Sequence, residues 1–393
     1  MPVTRLRRIF QLVVLAAALH AGWSFARGLG LASVETYCPF GGLETAWSVL
    51  TGGRVSCATG SHNLTLMAAL LVLALLARKA FCGWVCPVGT VSELLAAAAR
   101  RLRPGRRAQG LVTPPRAADR WLRWLRWPVL VLILVLTART AELVFRPLCP
   151  YYVMTSFHGH EVQAWSYGVL AVLLAGALVV PMIWCRYLCP LGAALWPPAA
   201  AGILRLRRRP ERCSGCRACD AACPHSLSVS EAAELRSGEC TLCLACVDSC
   251  PSAGALELAA PRLARPLPRP LVPALVVVLA ASGVVAGDAV ALPSYVLEVA
   301  AAEGETATAT LVVRQVRCVD TARTAASHLA TAAGVLRITA YAARHELEVE
   351  YDPSLTDAGT LARALEGPVW DGETGQFLYG RYEVLGIEEG GRR

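Results

Sequence analysis

The sequence predicts an α-helical membrane protein with an internally duplicated transmembrane half, an inserted cysteine-rich domain and a C-terminal α+β domain. Three observations carry that expectation. Of the 393 residues 55% are hydrophobic and the mean hydropathy is +0.46, more apolar than a water-soluble fold of this size requires. Eight of the sixteen cysteines fall between Cys213 and Cys250, in two copies of one spacing. The order of apolar segments and Cys-Pro pairs over residues 9–90 recurs over 128–193.

The first apolar segment, 9–29, has about the ~20 residues that cross a bilayer. Further spans are expected at 64–81, 128–145, 165–184 and 271–292. Arginines gather beside them at 5–8, through 100–127 and at 205–209, whereas the loops 30–63 and 146–164 hold one arginine each, Arg54 and Arg146. Basic flanks stay on the cytoplasmic side, so the chain runs in, out, in, out, in, out from a cytoplasmic N-terminus. The net charge of +9 then reads as membrane anchoring rather than nucleic-acid binding. A cleaved signal peptide shares the charged start and short apolar run. The duplication argues for retention, because it makes the first span the counterpart of the third.

Each half of the duplication holds a span, a Cys-Pro pair, outer histidines, a second span and a C-x3-C-P motif. The members are Cys38-Pro39, His62 and Cys82/Cys86/Pro87 in the first half. Those in the second are Cys149-Pro150, His158 with His160, and Cys185/Cys189/Pro190. The C-x3-C-P motifs lie 103 residues apart and the Cys-Pro pairs 111.

The insert reads C-x2-C-x2-C-x3-C-P twice, the run of a bacterial two-cluster ferredoxin domain. Three thiolates come from one run and the fourth from the other. One 4Fe-4S cluster is therefore expected on Cys213, Cys216, Cys219 and Cys250, and the second on Cys240, Cys243, Cys246 and Cys223. Zinc or disulfide frameworks do not use this duplicated, proline-ended spacing. Assembly requires a reducing compartment. His225, beside the run, is expected at the surface.

The remaining candidates keep more than one reading. Cys82 with Cys86, and Cys185 with Cys189, are four apart, so on a helix each pair faces one way, and the prolines favour a break there. A redox or metal role for these four admits one tetrathiolate site, two dithiol pairs or copper, and the alternative is a structural helix-breaking motif. Cys38 and Cys149 precede prolines that start helices, a position that lowers a thiol pKa and makes it a better metal ligand or nucleophile. A Cys38–Cys57 disulfide stands beside that reading. His20, inside the first span, is read as a hydrogen-bonded packing residue, with haem ligation or proton transfer to quinone as its functional alternatives. Arg139 and Glu142 are read as an interfacial ion pair, with a quinol site as the alternative. His62, His158 and His160 are expected to be solvated.

A proline- and arginine-rich linker, 261–273, leads into the fifth span. Residues 307–387 then follow a strand, helix, strand, strand, helix, strand pattern, the βαββαβ arrangement, placed outside the cytoplasm by the alternation of spans. The domains expected are 1–204, duplicated and transmembrane; 205–260, ferredoxin; 261–292, linker and fifth span; and 293–393, α+β.

FCGWVCPVGT and WCRYLCPLGA, followed directly by the two-cluster run, resemble the membrane polyferredoxin family. That family includes the quinol-oxidising membrane subunit of periplasmic nitrate reductase systems, the membrane regulator of nitrous-oxide reductase and the copper-reducing assembly factor of cytochrome oxidase. The likeness covers about residues 1–260. It implies a multi-pass protein of the bacterial inner membrane passing electrons between cytoplasmic clusters and a membrane quinone or a periplasmic partner. Copper reduction for metalloenzyme assembly and redox sensing are the alternative roles. The C-terminal domain is similar to the heavy-metal-associated domain, but where that family has M-x-C-x-x-C this chain has VRCVDT, keeping Cys318 with Thr321 at the second position. Soft-metal sites want at least two sulfur ligands, so docking or a vestigial role is the expectation there.

Overall fold

The computed structural model describes residues 3–27, 34–52, 60–102, 112, 114–140, 143–157, 162–261, 263, 265–290, 292–301, 304–316, 319–342, 344–367, 369–370, 377–379 and 382–392. Cys57, Glu142, His158, His160 and Cys318 lie outside them. The chain forms two compact units, one of Met1–Arg27, Leu66–Leu136 and Val144–Val284, the other of Gly28–Thr65, Thr137–Leu143 and Val285–Arg393.

Among the described residues three helices are long and apolar enough to cross a membrane: Val3–Ala26, Arg116–Thr140 and Leu271–Ala289. Ser61–Ala77 and Ala164–Val179, at the expected second and fourth spans, are apolar but shorter, with 17 and 16 residues. Both stop for local reasons. Arg78 turns left-handed at φ 55°, and Val180 is extended ahead of Pro181, as a residue before proline prefers to be. The third span starts earlier than its apolar stretch, at Arg116 directly after Pro114-Pro115, and its last helical residue is Thr140.

In the first unit the helix Val3–Ala26 buries only Arg7, Gln11 and Gly22. Gln11 donates to the Gly83 carbonyl at 2.9 Å and Arg7 donates to it at 3.1 Å. A Cβ on Gly22 would lie 1.6 Å from the Thr155 carbonyl oxygen, so only glycine lets these backbones approach. Gly22→Ala is expected to cost roughly 1–3 kcal/mol through forced separation of the two segments, measurable as a lowered melting temperature in detergent.

The cysteine-rich segment in the same unit builds a three-stranded antiparallel sheet in the order Glu234–Leu235, Arg205–Arg208, Leu256–Ala259. Leu206 of the central strand is buried. Arg205 pairs with Glu234 and Arg209 with Glu257 along its rim.

The second unit is built on a five-stranded antiparallel sheet, ordered Val384–Arg392, Ala307–Val313, Glu346–Tyr351, Val335–Tyr341, Tyr295–Glu298. Ala307–Val313 buries every second residue, the period of a sheet with one covered face. That face meets Ala322, Ala325, Ala326 and Leu329 of Val319–Leu329, and Leu361, Ala362 and Leu365 of Ala358–Glu366. Two features differ from the pattern read over 307–387. Tyr295–Glu298 adds an edge strand, too short and too close to the apolar fifth span to stand out. The stretch expected as one final strand is divided: Phe377–Tyr379 pairs with Val369–Trp370, and Val384–Arg392 joins the sheet.

Candidate iron-sulfur and thiol centres

The two cysteine runs share a backbone shape as well as a spacing. Gly215 and Leu242, third in each run, have φ 72° and 44°; Arg217 and Leu244, fifth in each, have φ 57° and 59°. A left-handed conformation costs an L-residue about 1–2 kcal/mol, and here packing sustains it, since Leu242 and Leu244 are 0% exposed. Changes of handedness along a loop turn successive N–H groups inward and make a concave site for anions, as in many iron-sulfur proteins. Short helices, Ala218–Ala222 and Ala245–Asp248, follow directly.

Cys223, Cys240, Cys243 and Cys246 line one small cavity of about 20 Å³, and Leu206, Val229 and Leu235 form apolar parts of its wall. The Leu227 N–H donates to Cys223 Sγ at 3.4 Å. Burial pushes the Cys223 thiol up to about 12 and the Cys240 thiol up to about 11. A bare thiolate is therefore disfavoured here, and the charge of a bound metal core is what would draw the protons off. Backbone, sulfur count and walls thus fit a 4Fe-4S group. The other four thiols of the runs differ in exposure: Cys216 is exposed and Cys213 and Cys250 are partly so, while Cys219, buried, lies within electrostatic reach of Cys250. No three described His, Cys, Asp or Glu side chains converge as they would on a single ion. A cubane does not ask for that, because each thiolate takes its own iron.

The first C-x3-C-P segment packs directly on the loop that holds the buried thiols. The Lys79 N–H donates to the Cys240 carbonyl at 3.2 Å and the Trp84 indole N–H to the Leu242 carbonyl at 3.2 Å. A Cβ on Gly83 would sit 2.9 Å from Cβ of Thr241. Cys82 lies within electrostatic reach of Cys86 and Cys189, and Cys185 within reach of all three. The four thiols of the two motifs thus share one neighbourhood.

These thiol pairs do not ride on one α-helix each, as the four-residue spacing suggested. The Cys86 backbone N–H donates to the Phe81 carbonyl at 3.1 Å and the Cys189 N–H to the Trp184 carbonyl at 2.9 Å, a turn one residue wider than α. Pro87 and Pro190, lacking an N–H, end the ladder there. Cys189 then caps Pro190–Ala194, its Sγ accepting from the Gly192 N–H at 3.3 Å. Cys86 accepts a backbone hydrogen bond from Gly89 in the same way.

A buried charge cluster lies beside both groups of thiols. Glu239, 5% exposed, accepts from Lys79 Nζ at 3.1 Å and Arg126 Nη1 at 3.0 Å, and from Arg126 Nη2 on its other oxygen. Burial alone would raise its carboxyl. The Arg126 hydrogen bonds and the charges of Lys79, Arg126 and Arg123 outweigh that and hold it down to about 2. Arg78, 2% exposed, donates to the carbonyls of Leu204, Ala199, Ser237 and Gly202 at 2.8, 2.9, 3.2 and 3.3 Å. None of these residues stood out in the sequence. The only trace was the charged pair Arg78-Lys79 ending an apolar span, and Glu239 directly before Cys240.

Two histidine expectations are overturned. His225 is not at the surface but 3% exposed, lining the buried-thiol cavity, and burial drives it down to about 3, so it is neutral at neutral pH. In the second unit His62 is 7% exposed, its Nε2 2.9 Å from Asp288 Oδ1 and its ring edge-on to Tyr37. A histidine's burial depends on partners from distant segments, which its local sequence does not announce. Cys38 precedes the helix Pro39–Gly52, its carbonyl accepting from Asn63 Nδ2 at 2.9 Å. Cys149 caps Pro150–Thr155 in the first unit. His20 is exposed on Val3–Ala26, and Arg139 lies in the last turn of Arg126–Thr140.

Comparison with known proteins matches a 4Fe-4S binding domain to residues 60–106 and 162–195, and a 4Fe-4S dicluster domain to 205–251. The chain is 32% identical to the putative electron transport protein YccM of Escherichia coli over 60% of its own length and 70% of that protein. It is 36% identical to protein NirI of Paracoccus denitrificans over 42% of this chain and 23% of the relative. With the ferredoxin-type protein NapH of Haemophilus influenzae the identity is 32%, over 44% of this chain and 56% of the relative. No solved structure matches.

Proposed function

The chain belongs to the membrane polyferredoxin family, and from that premise we propose that it conducts electrons between a soluble partner on the cytoplasmic face and a quinone or periplasmic partner across the membrane. The observation that carries this reading is the seating of the Lys79–Trp84 segment, which holds Cys82, on the Cys240–Leu242 loop. A 4Fe-4S cluster supplies one-electron redox chemistry when bound. Cys213, Cys216, Cys219 and Cys250 hold the solvent-facing centre, which suits exchange with a soluble partner. Cys240, Cys243, Cys246 and Cys223 hold the enclosed one, where the apolar wall excludes water.

A hydrocarbon core of ~30 Å is too thick for one step from the ferredoxin segment, so a relay is required. Cys82, Cys86, Cys185 and Cys189 are its first stage, as a third redox centre. Their shared neighbourhood and the match of a 4Fe-4S binding domain across both motifs support this. The recurrence of one wide turn at Cys86 and Cys189 supports descent by duplication. Arginines at 5–8 and 205–209 support a cytoplasmic ferredoxin face in a bacterial inner membrane.

Copper reduction is the second reading, favoured by the strand-helix-strand-strand-helix-strand succession of the C-terminal region, which is similar to a heavy-metal-associated domain. The two are separated by mixing anaerobically reduced protein with a short-chain quinone analogue or with Cu(II) and following the visible iron-sulfur absorption. Oxidation by the quinone alone is expected, slowed at least tenfold when Cys82, Cys86, Cys185 and Cys189 are serine. Oxidation by Cu(II) alone, with binding of copper, would replace this reading with the second.

A further inference from the structure

A second cavity in the first unit, of about 330 Å³, opens beside the ferredoxin segment. Its wall carries four arginines, Arg5, Arg7, Arg8 and Arg100, against one carboxylate, Glu93. Glu93 is already engaged by Arg7 Nη1 at 2.8 Å and Gln11 Nε2 at 3.3 Å. The nearby Asp248 is engaged as well, by the Thr4 N–H at 2.8 Å and Arg269 Nη1 at 3.1 Å. Among the described residues no carboxylate forms an ion pair with Arg5, Arg8 or Arg100, all three exposed; partial desolvation and, after it, repulsion from Arg8 lower Arg100 below its ordinary value, with Glu93 acting against them. Arg7 is 5% exposed, and its Nε–H, buried, has no acceptor.

A buried donor without an acceptor is costly, and like charges gathered at one cavity repel. Both are relieved by one oxyanion in the cavity. A quinone ring, uncharged in its resting state, would leave the cations uncompensated. The geometry points to a binding site for a phosphate oxyanion, held by Arg7, Arg8 and Arg100 at the base of the helix Val3–Ala26. Planar guanidinium groups suit phosphate oxygens in paired hydrogen bonds. The next turn of the same helix exposes Ile9, Leu12 and Val13, an apolar track on which acyl chains would lie, and basic pockets beside membrane helices take anionic lipid head groups in this way. The wall also includes Pro224 and Ala245, next in sequence to Cys223 and Cys246, so a bound anion adds negative charge beside the enclosed ferredoxin site.

The test uses the full-length protein in detergent, with thermal unfolding as the readout. Phosphatidylglycerol or cardiolipin in mixed micelles is expected to raise the melting temperature, phosphatidylcholine is not, and the rise should vanish in Arg8→Gln/Arg100→Gln. Neither residue belongs to the thiol centres, so that variant is expected to keep the wild-type iron content. A rise with inorganic phosphate alone, also lost in the variant, supports the site with a soluble phosphate as its source. An equal rise with phosphatidylcholine, a rise that survives in the variant, or stabilisation by a quinone analogue in place of the phosphate compounds would overturn the assignment.

Discussion

Glu239→Gln is expected to cost roughly 3–5 kcal/mol, because removing one partner of a buried ionic cluster leaves the others uncompensated. Lys79 and Arg126 are 3% and 3% exposed, and among the described residues Glu239 is the carboxylate both pair with. The loss spreads beyond one contact, since Glu239 joins the turn before Cys240 to Lys79 ahead of the first C-x3-C-P motif and to Arg126 in the third span. Thermal unfolding of the purified protein, with iron counted per chain, measures it. Both melting temperature and iron at the enclosed site should fall.

The same carboxylate sets an acid limit. Its folded value of about 2 lies below its ordinary 4.5, so the unfolded chain binds its proton first as pH falls. The stabilisation is fully present above the ordinary value and is lost as pH drops toward about 2. The variant should lack this component of acid sensitivity in that window when metal-free protein is unfolded at a series of pH values.

Arg78→Met is the second large effect. Four carbonyls from two segments, 199–204 and Ser237, converge on one guanidinium, and a buried acceptor left unmade costs about 1–3 kcal/mol. The summed loss is of the order of a whole domain's stability of ~5–15 kcal/mol, so the variant should fail to accumulate in the membrane. Arg78→Lys should rescue only in part: an ammonium has three donors at one point, whereas the four acceptors are spread along the planar fork. Membrane-fraction yield and melting temperature of the two variants rank them.

The ferredoxin run was legible because its chemistry is local: spacing decides which thiols come together, and duplication repeats it. The C-terminal strands were legible for a similar reason, since Ala307–Val313 and Glu346–Tyr351 alternate buried and open positions along one strand. What local pattern does not carry is partnership at a distance. Glu239 meets Arg126 from 113 residues away and Lys79 from 160, and no period in the sequence marks either. His225 reads as a surface residue until the walls around Cys223 are assembled. The four-residue spacing of Cys82 and Cys86 faces both thiols one way only on a regular turn, and the turn before Pro87 is wider. The eight thiols of the two runs differ in exposure in a way that their identical spacings do not foretell.

The central claim is that this chain carries at least two 4Fe-4S centres on the cysteines from Cys213 to Cys250, with a further redox centre on the four membrane-half thiols. Iron and acid-labile sulfide counted per chain, after anaerobic purification, test it most directly. The wild type should hold equal iron and sulfide at more than about eight of each, falling to about eight when Cys82, Cys86, Cys185 and Cys189 are serine. Equal counts of about eight in both proteins would contradict the third centre. Iron without matching sulfide, or zinc in its place, would contradict the iron-sulfur account as a whole.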